Sequence, residues 1–163
     1  MYNLFDTLTV IQKYKKLYEK RCHGLMKKYD LRIADLDILY YVAHSGEKNL
    51  AKDIVDEGMS KANVSKSVEN LHQKGYVHLN ADKDDRRCVH IEVTQAAAPI
   101  IAEIEFIRRN MGEALSVGIA ENDRKAVARV MHKLCENMDM EFADVDSNEV
   151  SKGNLNLEQE GKE

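Results

Sequence analysis

The chain has 163 residues, 44 % of them apolar and 32 % charged, with one Pro and no Trp. That is the size of a single domain and the balance of a globular protein with many exposed charges. No apolar run approaches the ~18 residues that would cross a bilayer, and the net charge of −4 looks wrong for a partner of nucleic acid until it is divided along the chain. Residues 144–163 hold six acids and two bases, so residues 1–143 hold 22 of each and are neutral. What matters is therefore where the bases sit. Scarce Pro and Gly beside plentiful Lys, Glu, Leu and Ala favour a mainly helical fold.

In chain order, the first 28 residues read as one helix, with Leu4, Leu8, Ile11, Tyr18, Cys22, Leu25 and Tyr29 at spacings of three and four. The start has no positive cluster followed by an apolar stretch, so no secretory signal is expected there. A second helix is predicted over Ala34–Ala43, with Leu36, Leu39, Tyr40 and Ala43 on one face and Ser45-Gly46 at its end. A short helix follows over Leu50–Glu57. The break at Gly58-Met59-Ser60 then offers Ser60 as the N-cap of a helix over Lys61–Lys74 that Gly75 stops. That helix turns Val64, Val68 and Leu71 inward and Lys61, Asn63, Ser65, Lys66 and Asn70 outward.

The period then changes from about 3.6 to 2. Tyr76–Asn80 and Cys88–Thr94 alternate around the polar stretch 81–87, which predicts a β-hairpin with a charged tip. Two helices close the chain, over Gln95–Leu115 and Glu121–Phe142, each with an apolar stripe. The last twenty residues, 144–163, contain almost nothing to bury and are expected to form an acidic, disordered tail. The expected organisation is one domain over 1–143 with mainly α (α+β) content. Its central lobe covers about 34–94, and the flanking helices cover about 4–28 and 95–142.

A short helix, a glycine-containing turn and a polar-faced helix make a helix-turn-helix, and a following hairpin makes it winged. The second helix carries no bulky apolar group on its outer face and has room to enter a major groove. Lys61, Asn63, Ser65 and Lys66 crowd its N-terminal half, the end that meets base edges in this motif. Lys and Asn can hydrogen-bond purine edges, and Ser60 and Ser65 are short enough to hold a phosphate. Residues 61–74 hold three lysines and one glutamate, a local excess of base against a neutral background. A solvated helix face is the bland alternative, and the adjoining hairpin tips the balance toward double-stranded DNA.

Leu50–Ile54, Met59–Leu71, Gly75-Tyr76-Val77, and Asp82–Arg87 leading into Ile91-Glu92-Val93-Thr94 together resemble the MarR family of winged-helix transcriptional regulators. The resemblance runs from about Leu36 to Thr94, and its most specific element is the Asp-Arg-Arg tip after a Gly-Tyr-Val strand. It implies a cytoplasmic homodimer that binds pseudo-palindromic operators, usually as a repressor released by a small ligand or an oxidant. It further implies that Arg87 enters the minor groove, that Asp85 holds its guanidinium in line, and that Arg86 serves the phosphate backbone. The chemistry agrees, since Arg suits narrow minor grooves and a carboxylate can fix its planar fork. In the family, the first and last helices interlock with those of a second subunit. Their apolar stripes here suit that role, because so long a first helix is not readily covered within one small chain.

Three widely spaced cysteines, Cys22, Cys88 and Cys135, argue against a disulfide framework and fit a reducing cytoplasm. Cys22 beside His23, and His132 three residues before Cys135, are candidates for a thiol switch or a metal site. Against this, Cys22 continues the Tyr18–Leu25 stripe and Cys135 adjoins Leu134, as small buried apolar residues would. Zinc-sensing members of the family carry histidines early in the helix after the wing, where this chain has 104–109, IEFIRR. Peroxide-sensing members place their cysteine nearer the start of the first helix than Cys22. No cofactor is expected. Tyr14, Tyr18, Arg21, Tyr40 and Tyr41 are candidate linings of a small-molecule effector pocket, with a place in the core as the alternative. His78 and His90 are expected on the exposed face of the hairpin. An enzyme is disfavoured, since no Gly-rich phosphate loop, firmly spaced metal motif or nucleophile beside a base is present. A winged-helix interaction module that does not read DNA would have no reason to place bases on both protruding elements.

Overall fold

In a computed structural model of the chain, the backbone is described for residues 4–46, 49–82 and 88–160, and side chains for 7–46, 49–82 and 88–145. The order is α1 (Leu4–Tyr29), α2 (Ile33–His44), α3 (Ala51–Asp56), α4 (Lys61–Gln73), β1 (Val77–Ala81), β2 (Val89–Val93), a 3₁₀ turn (Gln95–Ala97), α5 (Ala98–Leu115) and α6 (Glu121–Glu160). It forms two compact units, Met1–Leu115 and Ser116–Glu163.

The first unit is built around α2. Leu36, Ile38, Leu39 and Val42 are buried on more than one side of this helix, as befits an element that packs against α1, α4 and α5 together. Ile54, Val64, Leu71, Ile91, Ile100, Ile104 and Met111 complete the same core. Burying each large side chain contributes about 1.5–3 kcal/mol.

Local chemistry sets the element ends. The α2 and α3 starts lack a capping hydroxyl; instead Asp35 Oδ2 accepts from the Arg32 backbone N–H at 2.8 Å and Asp53 Oδ2 from that of Leu50 at 2.9 Å. Both acids also sit in a first turn, where the helix dipole favours them. Ser60 Oγ accepts from the Asn63 backbone N–H at 3.3 Å, as its N-cap reading predicts. At the other end of α4, Gly75 (φ +74°) closes a Schellman motif. In it, Gly75 N–H bonds His72 O at 3.0 Å and Tyr76 N–H bonds Leu71 O at 2.9 Å.

β1 and β2 pair antiparallel with Val77 opposite Val93 and Leu79 opposite Ile91. A bridge from Leu50 to His90 ties the entry to α3 onto the hairpin. His90 is therefore not the exposed strand histidine expected from alternation. It lies half-buried against Asn49 Oδ1 at 2.6 Å and Asp82 Oδ2 at 2.9 Å, because the Asn49-Leu50 segment covers that side of β2. His78 is exposed as expected.

The second unit contains α6, whose predicted end at Phe142 is not observed. The helix runs on to Glu160, through residues expected to form a disordered tail. Low apolar content reports on burial, not on local helix preference. The segment has no Pro and carries Leu155, Leu157, Glu158 and Gln159 toward its end, and it extends a helix already nucleated, which offsets its Asp, Asn and Ser residues. Along α6, Val127, Val130, Met138 and Phe142 are 50–67 % exposed. Cys135, expected to behave as a small buried residue, is exposed too.

Candidate nucleic-acid interface

The exposed face of α4 begins at the turn after α3. Gly58 (φ +93°) reverses the chain there at a conformation that side-chain-bearing residues rarely adopt. Val64, Ser67 and Leu71 point into the core, which leaves Lys61, Asn63, Ser65 and Lys66 exposed on the N-terminal half of the helix. These four and Ser60 are thus all exposed around the start and first two turns of the helix. Lys61 and Ser65 also border a groove of about 270 Å³ shared with Ala51, Lys52 and Val55 of α3. Lys66 borders a second, open hollow of about 450 Å³ with Arg32 and Asn70. Asp85, Arg86 and Arg87 lie outside the described residues.

α4 is fixed to α2 by a polar clamp that the sequence did not single out. The Asp35 carboxylate is fully buried. Its Oδ1 accepts from Arg32 Nη2 at 2.8 Å, and its Oδ2 accepts from Asn70 Nδ2 at 2.9 Å. Arg32 Nη2 also donates to Ser67 Oγ at 3.2 Å. Burial pushes the Asp35 carboxyl up, but its hydrogen bonds with Arg32 and Ser67 outweigh this and leave it below its ordinary value.

The proposed effector residues separate into three places. Tyr18 and Tyr40 meet around Arg108 of α5, whose guanidinium carbon lies 4.8 and 3.9 Å from the two ring centres. Arg108 Nε donates to Tyr18 Oη at 3.3 Å, and Nη2 to Asp37 Oδ1 at 3.1 Å. Burial, then the charge of Asp37, pushes the Tyr18 hydroxyl well above its usual range. Burial likewise raises the Asp37 carboxyl despite Arg108. Tyr40 also stacks on His44, with ring centres 4.3 Å apart. Tyr41 instead lies near Asp53 and Asp56 of α3 and Glu57 just after it. Tyr14 and Arg21 are exposed on α1. A site joining all five residues is therefore not formed within the chain, because α2 turns Tyr40 and Tyr41 toward different neighbours.

The thiol and metal candidates are likewise apart. Cys22 is buried beside Tyr18, and burial raises its thiol, which opposes formation of a reactive thiolate. His132 pairs with Glu136 at 3.2 Å on α6. Among the described residues no group of three or more His, Cys, Asp or Glu is arranged to hold a metal ion.

The α3–turn–α4 unit, with its polar helix face and adjoining hairpin, defines a winged helix-turn-helix protein. The chain belongs to the SarA/Rot family of transcriptional regulators, whose family model matches residues 20–104. The uncharacterized HTH-type transcriptional regulator YwaE of Bacillus subtilis is 24 % identical over 115 residues, which cover 70 % of this chain and 67 % of YwaE. The transcriptional repressor MprA of Escherichia coli is 21 % identical over 82 residues, 50 % of this chain and 47 % of MprA. A MarR protein from Peptoclostridium difficile superposes with a TM-score of 0.75 at 16 % identity, covering 89 % of this chain and 97 % of that one. The MepR protein of S. aureus, solved as a DNA complex, gives 0.66 at 16 % identity, covering 84 % and 99 %. The resemblance to MarR regulators therefore extends to the fold.

Proposed function

We propose that this protein is a sequence-specific, double-stranded-DNA-binding transcription regulator that acts as a homodimer without catalysis. The observation that carries this reading is the exposure of Lys61, Asn63, Ser65 and Lys66 around the first two turns of a helix that Asn70 ties to the buried Asp35. Ser60 and these four residues meet base edges and phosphates in the major groove. Arg87, held by Asp85, takes the minor groove, and Arg86 the backbone. MepR, a protein of the same fold solved as a DNA complex, supports this use of the fold.

A second copy covers the apolar stripes of α1 and α6. Leu8 and Ile11 on α1 and Val130 and Met138 on α6 are all more than 40 % exposed in the chain, a large unpartnered apolar surface for a monomer. Two-fold pairing of the recognition helices then reads a pseudo-palindromic site about one helical turn apart. The role is repression in the cytoplasm, relieved by a small effector or an oxidant. The Tyr18–Arg108–Tyr40 cluster is the best-formed candidate to sense an effector.

A mobility shift with the duplex upstream of the protein's own coding region tests the reading, repeated with oxidant, chelator and phenolic acids. A retarded band that survives excess random DNA is expected. Equal affinity for operator and random DNA would favour an interaction module instead.

A further inference from the structure

Three hollows that border α4 differ in charge. The hollow beside Lys66 also holds Arg32, Asp30 and Glu69, so its bases and acids balance. Two of these charges are already engaged, Arg32 with Asp35 and Asp30 with Lys74. The cavity of about 380 Å³ beside Ser60 and Asn63 sets two acids, Glu19 and Asp37, against Lys15. The groove of about 270 Å³ between α3 and α4 sets two bases, Lys52 and Lys61, against Asp56. Of the three, this groove alone carries an excess of base.

Lys52 is the sole base of α3. It is exposed, as are Lys61 and Ser65 across the groove, and among the described residues neither lysine makes an ion pair. The other acids of this stretch are placed elsewhere. Asp53 accepts from the Leu50 backbone N–H at 2.9 Å, and neither it nor Glu57 borders the groove. Ala51, Val55 and Val64 supply apolar walls between the polar groups. An apolar wall beside two cations and a hydroxyl suits a sugar-phosphate backbone, because deoxyribose is largely hydrocarbon and the phosphate is an anion with acceptor oxygens. A cube of about 270 Å³ has an edge of about 6.5 Å, which is too narrow for a partner helix of about 10 Å.

We propose that the α3–α4 groove seats a phosphodiester of the DNA strand that flanks α4, with Lys52 as its cation and Ser65 as a second donor. The proposal rests on the DNA-binding reading above and adds the side of α4 along which that strand runs. It also divides the work of two neighbouring lysines. Lys52 neutralises a phosphate and carries no sequence information, while Lys61, across the groove, is left for a base edge. Asp56 lies one turn after Lys52 on α3, so the phosphate sits toward the Lys52 end of the groove, away from the acid.

The test titrates Lys52→Gln by fluorescence anisotropy over a range of salt, on the upstream operator duplex and on a random duplex. One phosphate contact contributes about 0.9 units of salt slope, which is about fivefold in affinity at about 0.15 M salt. Both losses are expected on both duplexes, so the ratio of the two affinities stays parental. Lys52→Arg should keep the parental slope, and both variants should keep the parental melting temperature. A scan of neutral methylphosphonates along the operator locates the contact independently of stability. At one or more positions the substitution should weaken the parent and leave Lys52→Gln unaffected. A parental slope for Lys52→Gln, or equal sensitivity of parent and variant at every position, overturns the groove as a phosphate seat while leaving the DNA reading intact. A loss confined to the operator overturns it as well, because Lys52 would then read a base. A parent that binds neither duplex overturns the DNA reading itself.

Discussion

Asn70 on the recognition helix donates a 2.9 Å hydrogen bond to the buried carboxylate of Asp35 on α2. This bond ties Asn70, which lies one turn after Lys66 and borders the same hollow, to the centre of the core. Because Asp35 also holds Arg32, which reaches Ser67 on α4, one carboxylate sets the pose of the helix through two routes. Asp35→Asn keeps the shape but places an amide donor among donors. A loss of about 1–3 kcal/mol in urea unfolding at neutral pH is expected, with weaker operator binding.

The same residue gives a pH signature. Its folded pKa lies below the ordinary 3.8, so its contribution is present above that value and is lost as pH falls through it toward the folded pKa. The parent should therefore lose stability below about pH 4 more steeply than Asp35→Asn does. Parallel curves of stability against pH would show that the Asp35 charge contributes nothing to the fold.

Arg108 allows a second, independent test. It lies between Tyr18 and Tyr40 and bonds Asp37 at 3.1 Å. Arg108→Met leaves Asp37 without its cation in a place where burial already raises its pKa. A loss of about 1–3 kcal/mol is expected. Adding Asp37→Leu should recover much of it, since removing both members of such a pair costs less than stranding one. Additive losses in the melting temperatures of the two single variants and the double variant would overturn the coupling.

These two clusters mark where the sequence stopped being readable. The boundaries of α4 were legible because Ser60 and Gly75 are local signals that act within one turn. The hairpin was legible from its change of period. Asp35 and Asp37 flank Leu36 in a strongly apolar helix, and Arg108 interrupts the stripe of Ile101, Ile104 and Met111. Periodicity reads such charges as surface positions, and only the tertiary fold reveals that Asp35 is enclosed by Arg32 and Asn70. An acid and a base at otherwise buried stripe positions were the available signal. The length of α6 was missed for the opposite reason: burial potential was used to judge a segment that continues a helix already nucleated before it.

The dimer reading predicts a specific failure on α6. Leu134 lies on the exposed apolar stripe between Val130 and Met138, so Leu134→Glu puts a charge where a second copy must pack. Light scattering at micromolar concentration should give twice the chain mass for the parent and the chain mass for the variant. Operator affinity should drop with the dimer, while the melting of the Met1–Leu115 unit changes little. A monomeric parent would remove both the dimer and the palindromic site.

Lys61, Arg87 and Asp85 should fail in three distinguishable ways. Lys61 stands exposed at the first turn of α4, after Ser60. If it reads a base, Lys61→Ala loses about 1–3 kcal/mol on operator DNA and little on random DNA. Arg87→Ala removes a cation whose target is a narrow minor groove. It should weaken binding to the operator and to A·T-rich non-operator DNA, and reduce the salt slope by about one unit. Asp85→Ala separates orientation from charge. Charge counting alone predicts tighter binding, because a negative group leaves a surface that faces a polyanion. An orienting carboxylate predicts weaker binding, because the Arg87 guanidinium then loses its fixed plane and must be ordered on contact. The expected result is a partial copy of the Arg87→Ala defect, read by anisotropy on operator and A·T-rich duplexes at two salt concentrations. Tighter operator binding by Asp85→Ala would reduce the wing to a charged turn. Parental binding by all three variants would exclude this face from DNA recognition and leave the interaction module as the better reading.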